Sequence, residues 1–184
     1  MNAPVPAFST DASAGTSVVR VTTAAPCARL SLRARGELGP LEAALGLDLP
    51  RRIGARAEVG ETEVLCLGPD EWMLRGPEAV APTIRAACDE VYKTHPMSLV
   101  DVSGREVTFV IEGTSAAELL TLGCPRDIDR LAVGEGRRTV FDGATVVLWR
   151  DATDRFRMDV WHSFAPHVFD LLATGCRELA AEAA

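Results

Sequence analysis

Apolar and polar residues alternate along several short stretches of the chain, a period-two pattern that predicts β-strands. The clearest is Ala28–Ala34, where every second residue is apolar. Similar apolar or alternating runs between turn-forming residues predict seven more strands, at 18–21, 63–67, 71–74, 98–102, 107–111, 145–149 and 155–160. The turn Gly68-Pro69-Asp70 joins two of these strands.

Apolar residues three and four positions apart, together with helix start and stop signals, predict four helices. These helices are expected over 40–45, 81–92, 116–122 and a long segment after Ser163. Ser115 and Glu118 have the spacing of a capping box before the third helix, and Ser163 is expected to cap the fourth. The buried stripe of the fourth helix is predicted to be Phe164, Val168, Leu171, Leu172, Cys176 and Leu179.

The predicted elements follow the order β-α-β-β-α twice, without a clear repeat in the sequence itself. Strand pairs between helices indicate an α+β fold, with helices packed on antiparallel or mixed sheets. Nothing linker-like lies between Val102 and Val107, so we expect the two β-α-β-β-α units to share one core. Residues 18–180 are thus predicted to form a single domain. Residues 1–17, rich in Pro, Ala, Ser and Thr, are predicted to be a mobile tail without a secretory signal.

Charge and composition argue against several classes of function. A net charge of −7 and a pI near 5.0 disfavour binding to nucleic acid, which requires a basic face. No apolar run approaches the roughly 20 residues that span a bilayer, so no membrane association is expected. Five scattered cysteines without a C-x-x-C pair are typical of reduced thiols in a cytoplasmic protein. The only lysine, Lys93, follows Tyr92, which excludes a P-loop but leaves one position for a Schiff base.

The spacing of the histidines and glycines does not match known metal or cofactor motifs. His162 and His167 are five residues apart rather than four, and His95 is remote, so surface or structural roles are favoured over ligation. The segment Asp101-Val-Ser103-Gly104 lacks the leading glycine of a nucleophile elbow. Gly134-Glu135-Gly136 cannot extend to a dinucleotide fingerprint, because position 139 is threonine, and we interpret it as a loop.

Acidic and aromatic residues carry weaker chemical signals. Four aspartates lie in turn-like segments, where their local hydrogen bonds are common, and an acid–base pair among them is an open alternative. These aspartates are Asp127, Asp129, Asp142 and Asp151. The tryptophans lie in strands or at their ends, and packing in a core or interface explains them more simply than a cofactor site. They are Trp72, Trp149 and Trp161.

Cys124, between Gly123 and Pro125, has two interpretations. If the third helix ends at Leu122, Gly123 takes the left-handed position after it, and Cys124 packs on Leu119. The alternative is a thiol nucleophile whose pKa is lowered by the neighbouring arginine, but no histidine is close in sequence to act as a base. We favour the packing interpretation.

Six short motifs occur in a fixed order between roughly residues 61 and 176. They are Leu67-Gly-Pro-Asp-Glu-Trp-Met-Leu74, Val100-Asp-Val-Ser103, Gly123-Cys-Pro125 with Asp127, Arg138-Thr139, Leu148-Trp149-Arg150 and Ser163-Phe164-Ala165. Together they resemble the gamma subunit of bacterial heterotetrameric sarcosine oxidase.

This resemblance implies both a fold and a function. The fold would be a fragment of the folate-binding aminomethyltransferase fold. The complex oxidatively demethylates sarcosine to glycine, forms hydrogen peroxide and yields 5,10-methylenetetrahydrofolate. FAD, FMN, NAD, zinc and tetrahydrofolate are expected in other subunits, and none in this chain. Its partners would be the alpha, beta and delta subunits, most directly alpha.

Two positions depart from the family pattern. Gly104 stands where the family often has histidine, and His162 stands where it often has arginine. These departures leave open a related complex acting on another N-methyl amino acid, such as N-methylglutamate. No aspartate can be carried over as the folate-activating carboxylate of the aminomethyltransferases.

We therefore predict a non-catalytic accessory subunit that contributes to sarcosine catabolism and one-carbon metabolism in the cytoplasm. No catalytic, cofactor-binding or metal-binding residue is assigned. The alternatives are a stand-alone folate-binding module and a dedicated enzyme that uses Cys124 or a carboxylate.

Overall fold

The computed structural model describes residues 11–183 and has a mixed α+β architecture. The strands are β1 (Ser13–Gly15), β2 (Arg20–Thr23), β3 (Ala28–Ala34), β4 (Arg56–Val59), β5 (Thr62–Gly68), β6 (Glu71–Gly76), β7 (Met97–Asp101), β8 (Glu106–Glu112), β9 (Gly136–Phe141), β10 (Ala144–Ala152) and β11 (Arg155–Trp161). The α-helices are α1 (Gly39–Leu45), α2 (Val80–Val91), α3 (Ala116–Thr121) and α4 (Ala165–Glu182). Single 3-10 turns occupy Ser103–Arg105 and Ile128–Arg130. The predicted α+β class is confirmed.

The described residues form two compact units. The five-stranded unit comprises residues 26–104 and 134–137. Its sheet has the order β4-β5-β6-β3-β7, with antiparallel pairing throughout. Helices α1 and α2 belong to this unit, and their apolar residues join those of the sheet in one buried cluster. Trp72 is at the centre of this packing, and its indole N–H donates to the carbonyl of Pro50 (2.8 Å).

The six-stranded unit comprises residues 11–25, 105–133 and 138–183 of the described chain. Its sheet has the order β1-β2-β8-β11-β10-β9. Helices α3 and α4 pack on one face, where Phe109, Phe156 and Leu172 are fully buried. Gly175 of α4 lies so close to α3 that a Cβ there would be 2.2 Å from the side chain of Leu122.

The two units repeat the same order of elements, with one strand more than predicted. Each contains β-α-β-β-β-α: β3 to α2 in the five-stranded unit, and β8 to α4 in the six-stranded unit. The sheet orders also correspond, because β3 and β8 hold equivalent places and each is flanked by a further antiparallel strand. That flanking strand is β7 in one unit and β2 in the other.

All eight predicted strands and all four predicted helices overlap observed elements, whereas three observed strands are missing from the prediction. These are β1, β4 and β9, and each is an edge strand of its sheet. β9, for example, reads Gly-Arg-Arg-Thr-Val-Phe, in which only the last two residues are large and apolar. The interpretation of Gly134-Glu135-Gly136 as a loop is therefore wrong at its last residue, which begins β9.

The first strand lies inside the segment predicted to be a tail. Residues 1–10 of that segment are outside the described residues, but Ser13–Gly15 pairs with Arg20–Thr23 as β1. The two units are predicted to share one core. The structure has two buried apolar clusters, one in each unit. The single domain over 18–180 stays a prediction. None of the helices in residues 11–183 has an apolar stretch sufficient to cross a bilayer.

The predicted helix caps are only partly correct. Ser115 does precede α3, but its side chain makes no capping hydrogen bond, so the expected capping box with Glu118 is wrong. Helix α4 begins one residue later than predicted, after Phe164 rather than Ser163. The Phe164 side chain is therefore not part of the buried stripe but 45% exposed.

Candidate functional site

Cys124 lies in the buried apolar cluster of the six-stranded unit. It is 7% exposed, and its amide donates to the carbonyl of Leu120 (3.0 Å). Its sulfur is 3.9 Å from Oγ1 of Thr139, and a threonine hydroxyl cannot act as the base that a thiol nucleophile needs. This environment supports the packing interpretation of Cys124.

Gly123 departs from the predicted geometry. It lacks the positive φ expected of a left-handed residue after a helix. Instead, glycine is needed here for close approach, since a Cβ would lie 3.0 Å from the amide nitrogen of Asp142 and 3.1 Å from the ring of Phe141. The carbonyl of Gly123 accepts a hydrogen bond from that same amide (2.9 Å). The segment after α3 is therefore held against the turn between β9 and β10.

Three other thiols are expected to be poor nucleophiles near neutral pH. Burial raises the pKa of Cys88 to about 11, and it also raises the pKa values of Cys66 and Cys176. Since the thiolate is the reactive form, these cysteines act as small apolar side chains near neutral pH.

The histidines are distributed over separate sites. His167 Nε2 lies 2.7 Å from Asp142 Oδ2 in an exposed pair, and His95 Nδ1 lies 3.0 Å from the hydroxyl of Thr94. The backbone amide of His162 donates to the carbonyl of Arg105 (3.0 Å). Among residues 11–183, no three side chains of His, Cys, Asp or Glu come together in a group able to hold a metal ion.

The candidate aspartates lie in turns and at the end of a strand, and three of them make local contacts there. Asp127 accepts a hydrogen bond from the amide of Asp129 (3.1 Å) at the start of a 3-10 turn. Asp151 makes a two-bonded ion pair with Arg157, at 2.5 and 2.9 Å. Asp142 has a φ of 45° in the turn between β9 and β10. These contacts stabilise turns and strand pairs.

The Asp101-Val-Ser103 segment forms a compact turn. Asp101 Oδ1 accepts from the amide (3.0 Å) and the hydroxyl (2.6 Å) of Ser103, and the hydroxyl bond is the main cause of a lowered pKa for Asp101. Ser103 Oγ in turn accepts from the amide of Arg29 on β3 (2.9 Å). A Cβ on Gly104 would meet nothing within 4 Å, so this position has space for a side chain. The serine is thus occupied in fixing the backbone.

A buried carboxylate that the sequence analysis missed lies in the six-stranded sheet. Asp159 is 2% exposed and is paired in register with Thr108 across β8 and β11. It accepts hydrogen bonds from the Thr108 hydroxyl and from the indole N–H of Trp149 (2.7 Å). Arg157 stacks on the same indole, 5.0 Å from its centroid. The alternation of β11 places Asp159 on the face opposite α4, and the sequence gives no sign that this face is also buried.

An opening of about 450 Å³ lies beside β1 and β2 in the six-stranded unit. Small residues such as Ser13, Gly15 and Ser17 line it, and its charged pair, Arg20 and Glu112, is joined by an ion pair of 3.2 Å. None of its lining residues, all in the described chain, is aromatic, so it offers no stacking surface for a flavin or pterin ring.

An exposed aromatic feature occurs where β11 leads into α4. Trp161 and Phe164 are each 45% exposed, and the amide of Phe164 donates to the carbonyl of Trp161 (2.8 Å). Arg105 stacks on Trp161, with its guanidinium carbon 5.3 Å from the ring centroid. We call Arg105, Trp161 and Phe164 the aromatic patch. By contrast, Trp72 and Trp149 are 1% and 0% exposed, as their predicted packing role requires.

The aromatic patch has the composition of a binding surface rather than a reaction centre. Trp and Arg are the residues most enriched among those that dominate binding at protein interfaces. The polar groups described above are engaged in local bonds, and Arg105 itself is ion-paired with Glu106 (2.7 Å). The arrangement is therefore suited to recognition of a protein.

Comparisons with known proteins agree on one family. The model of the sarcosine oxidase gamma subunit family matches residues 38–178. The sarcosine oxidase gamma subunit of Corynebacterium sp. (strain U-96) is 32% identical over 176 residues, which cover 91% of this chain and 84% of that protein. The gamma subunit of Corynebacterium sp. (strain P-1) is 30% identical over 153 residues, covering 80% and 73%.

Solved structures show the same relationship. A chain of the heterotetrameric sarcosine oxidase from Corynebacterium sp. U-96, in complex with pyrrole 2-carboxylate, superposes with a TM-score of 0.79 at 30% identity. The match covers 91% of this chain and 88% of that one. Aminomethyltransferase T of the glycine cleavage system from Bartonella henselae matches with a TM-score of 0.66 at 16% identity, over 89% of this chain and 46% of that one. This second likeness shows a common fold and confirms the predicted fold, that of a fragment of an aminomethyltransferase.

Proposed function

The chain belongs to the sarcosine oxidase gamma subunit family, and we propose that it is the accessory gamma subunit of a heterotetrameric sarcosine oxidase. Such a complex oxidises sarcosine to glycine, with hydrogen peroxide and 5,10-methylenetetrahydrofolate as the other products. The observation that carries the proposal is the match over 91% of the chain to a subunit of a heterotetrameric sarcosine oxidase.

We further propose that this chain is not itself catalytic. Its candidate nucleophile, Cys124, is buried among apolar side chains, and the buried carboxylate of Asp159 accepts structural hydrogen bonds. FAD, FMN, NAD, zinc and tetrahydrofolate are then bound by the other subunits of a cytoplasmic assembly. The role of this chain is to stabilise the folate-handling part of the complex.

The aromatic patch is the surface that we assign to contact with the alpha subunit. Trp161 and Phe164 present apolar rings at the surface, and Arg105, which is ion-paired with Glu106 (2.7 Å), stacks on Trp161. Exposed aromatic rings beside an arginine are typical of the residues that dominate binding at protein–protein contacts.

Co-expression with the remaining subunits tests the proposed function. A tag on this chain should recover a yellow assembly that produces hydrogen peroxide from sarcosine, whereas the isolated chain should produce none. Sarcosine-dependent peroxide from the isolated chain would contradict the non-catalytic role, and failure to recover any flavin-containing assembly would contradict membership of the complex. N-methylglutamate as a parallel substrate tests the related activity.

The fold shared with aminomethyltransferase T favours one second candidate, a stand-alone folate-binding module. Calorimetry of the isolated chain with a reduced folate separates the two functions. Tight one-to-one binding in the absence of the other subunits would favour the folate-binding module over the accessory subunit.

Replacing Cys124 by alanine tests whether its thiol takes part in chemistry. We expect the free energy of unfolding to fall by about 1 kcal/mol, because the lost sulfur leaves a small cavity. The turnover of the assembled complex should not change. Cys176→Ala is the matched control, since Cys176 is 1% exposed in the same cluster. Loss of turnover in the Cys124 variant alone, with assembly intact, would show that this thiol is catalytic.

A further inference from the structure

A groove in the five-stranded unit combines apolar walls with an acidic edge. It lies between α1, α2 and the hairpin that joins β4 to β5, and its volume is about 240 Å³. The walls include Leu45, Val80 and Ile84, while Val59 and Glu61 come from the hairpin. We call this feature the acidic groove.

The shape of the groove depends on a close approach between backbone segments of the unit. Gly76, the last residue of β6, allows the hairpin to approach: a Cβ there would be 2.9 Å from the carbonyl oxygen of Glu61 and 3.1 Å from Val80. Ile84 is 6% exposed and forms the floor, whereas Val59 on the rim is 53% exposed. An apolar rim residue this exposed leaves the groove open to a partner.

One carboxylate lies at this groove. Glu61, an exposed residue of the turn between β4 and β5, lines it. Of the described residues that line it, none is lysine or arginine. The arginines on the adjoining elements are engaged with other carboxylates: Arg85 is 3.5 Å from Asp101, and Arg56 is 2.6 Å from Glu63.

The size of the groove limits what can occupy it. Pockets that enclose drug-sized ligands and cofactors typically measure about 300–1,000 Å³. A groove below that range suits one or two aliphatic side chains of a polypeptide, with a cation beside them for Glu61.

We propose that the acidic groove binds a segment of a partner subunit that carries an aliphatic side chain flanked by arginine or lysine. This inference rests on the proposed function, because it assumes that the chain works within an assembly. It assigns the five-stranded unit a contact of its own, in addition to the aromatic patch of the six-stranded unit. Binding is expected to depend on salt, because rim charges act through screened electrostatic attraction.

Charge reversal at the groove tests this contact. The purified chain is titrated onto the assembly prepared without it, at low and at high sodium chloride concentration. We expect Glu61→Arg to weaken binding roughly tenfold at low salt, with a smaller loss at high salt. Glu90→Arg is the matched control, because it makes the same charge change at an exposed position of α2 that does not line the groove.

The outcomes separate this inference from the proposed function. If the wild-type chain binds and Glu61→Arg binds equally well at low salt, the groove contact is overturned while the accessory role stands. An equal loss in Glu61→Arg and Glu90→Arg would indicate a general charge effect and would also overturn it. If the wild-type chain does not bind the assembly, the proposed function fails and this inference fails with it. Glu61→Gln should show an intermediate loss.

Discussion

Replacing Trp161 and Phe164 together by alanine is expected to weaken assembly with the alpha subunit by a factor of 100 or more. Residues at the centre of an interface can contribute about 2 kcal/mol or more each, and two such residues together correspond to a factor of roughly 1,000, so 100 is a lower limit. Both side chains are 45% exposed, and their removal should therefore change the stability of the isolated chain little. Co-purification with a tag on alpha measures the effect directly.

Tyr92→Ala and Ile53→Ala are suitable controls for this prediction. Both residues are large and apolar, with exposures of 53% and 47%, but they belong to the five-stranded unit. A loss of assembly in the controls that matches the loss in the double variant would contradict a specific role for the aromatic patch. Fluorescence adds a second measurement: Trp161 is the exposed tryptophan of the three, so its emission should shift to shorter wavelength when alpha binds.

Replacing Gly113 by alanine is expected to lower the free energy of unfolding by about 3–5 kcal/mol. Gly113 has a φ of 129°, a backbone conformation that costs other residues about 1–3 kcal/mol. A Cβ would also be 2.4 Å from the carbonyl oxygen of Val18 and 2.8 Å from the Cα of Val19. Because these are backbone atoms, relief requires the chain leading into β2 to move away from β8.

Gly104→Ala provides the control for Gly113→Ala. A Cβ at Gly104 meets nothing within 4 Å, and its φ is not in the positive range, so we expect a change within about 0.5 kcal/mol. Urea unfolding of both purified variants gives the comparison. If the free energy of unfolding of Gly113→Ala is within 1 kcal/mol of the wild-type value, the inference that the close backbone approach requires glycine would be wrong.

The central strands of the fold are predictable from sequence because apolar and polar residues alternate along them. β3, for example, alternates strictly between apolar and polar residues, and its boundaries agree with the structure. The strands β4 and β9 carry no comparable signal, because β4 has only four residues (Arg-Ala-Glu-Val) and β9 has large apolar residues only at its end. Their existence is determined by pairing with β5 and β10, which a local pattern does not contain.

The candidate site is less predictable for a related reason. In the sequence, Asp159 is one polar residue within a strand, and its burial depends on the second face of the sheet. Phe164 had the spacing of a buried helix residue, yet the helix begins after it and its ring is exposed. Gly123 had the sequence of a left-handed stop signal, but the approach of the β9–β10 turn is what requires glycine there. In each case a distant part of the chain decides the environment.

The position of β2 has a consequence for biosynthesis. This strand precedes the whole of residues 26–104 in the chain, yet it pairs with β8, which ends at Glu112. Ribosomes add roughly 5–20 residues per second, so β2 leaves the exit tunnel seconds before its neighbour exists. Most of the five-stranded unit is by then available to fold. The six-stranded unit, in contrast, combines residues 11–25 with residues 105–133 and 138–183, so its folding cannot be completed until α4 has been synthesised.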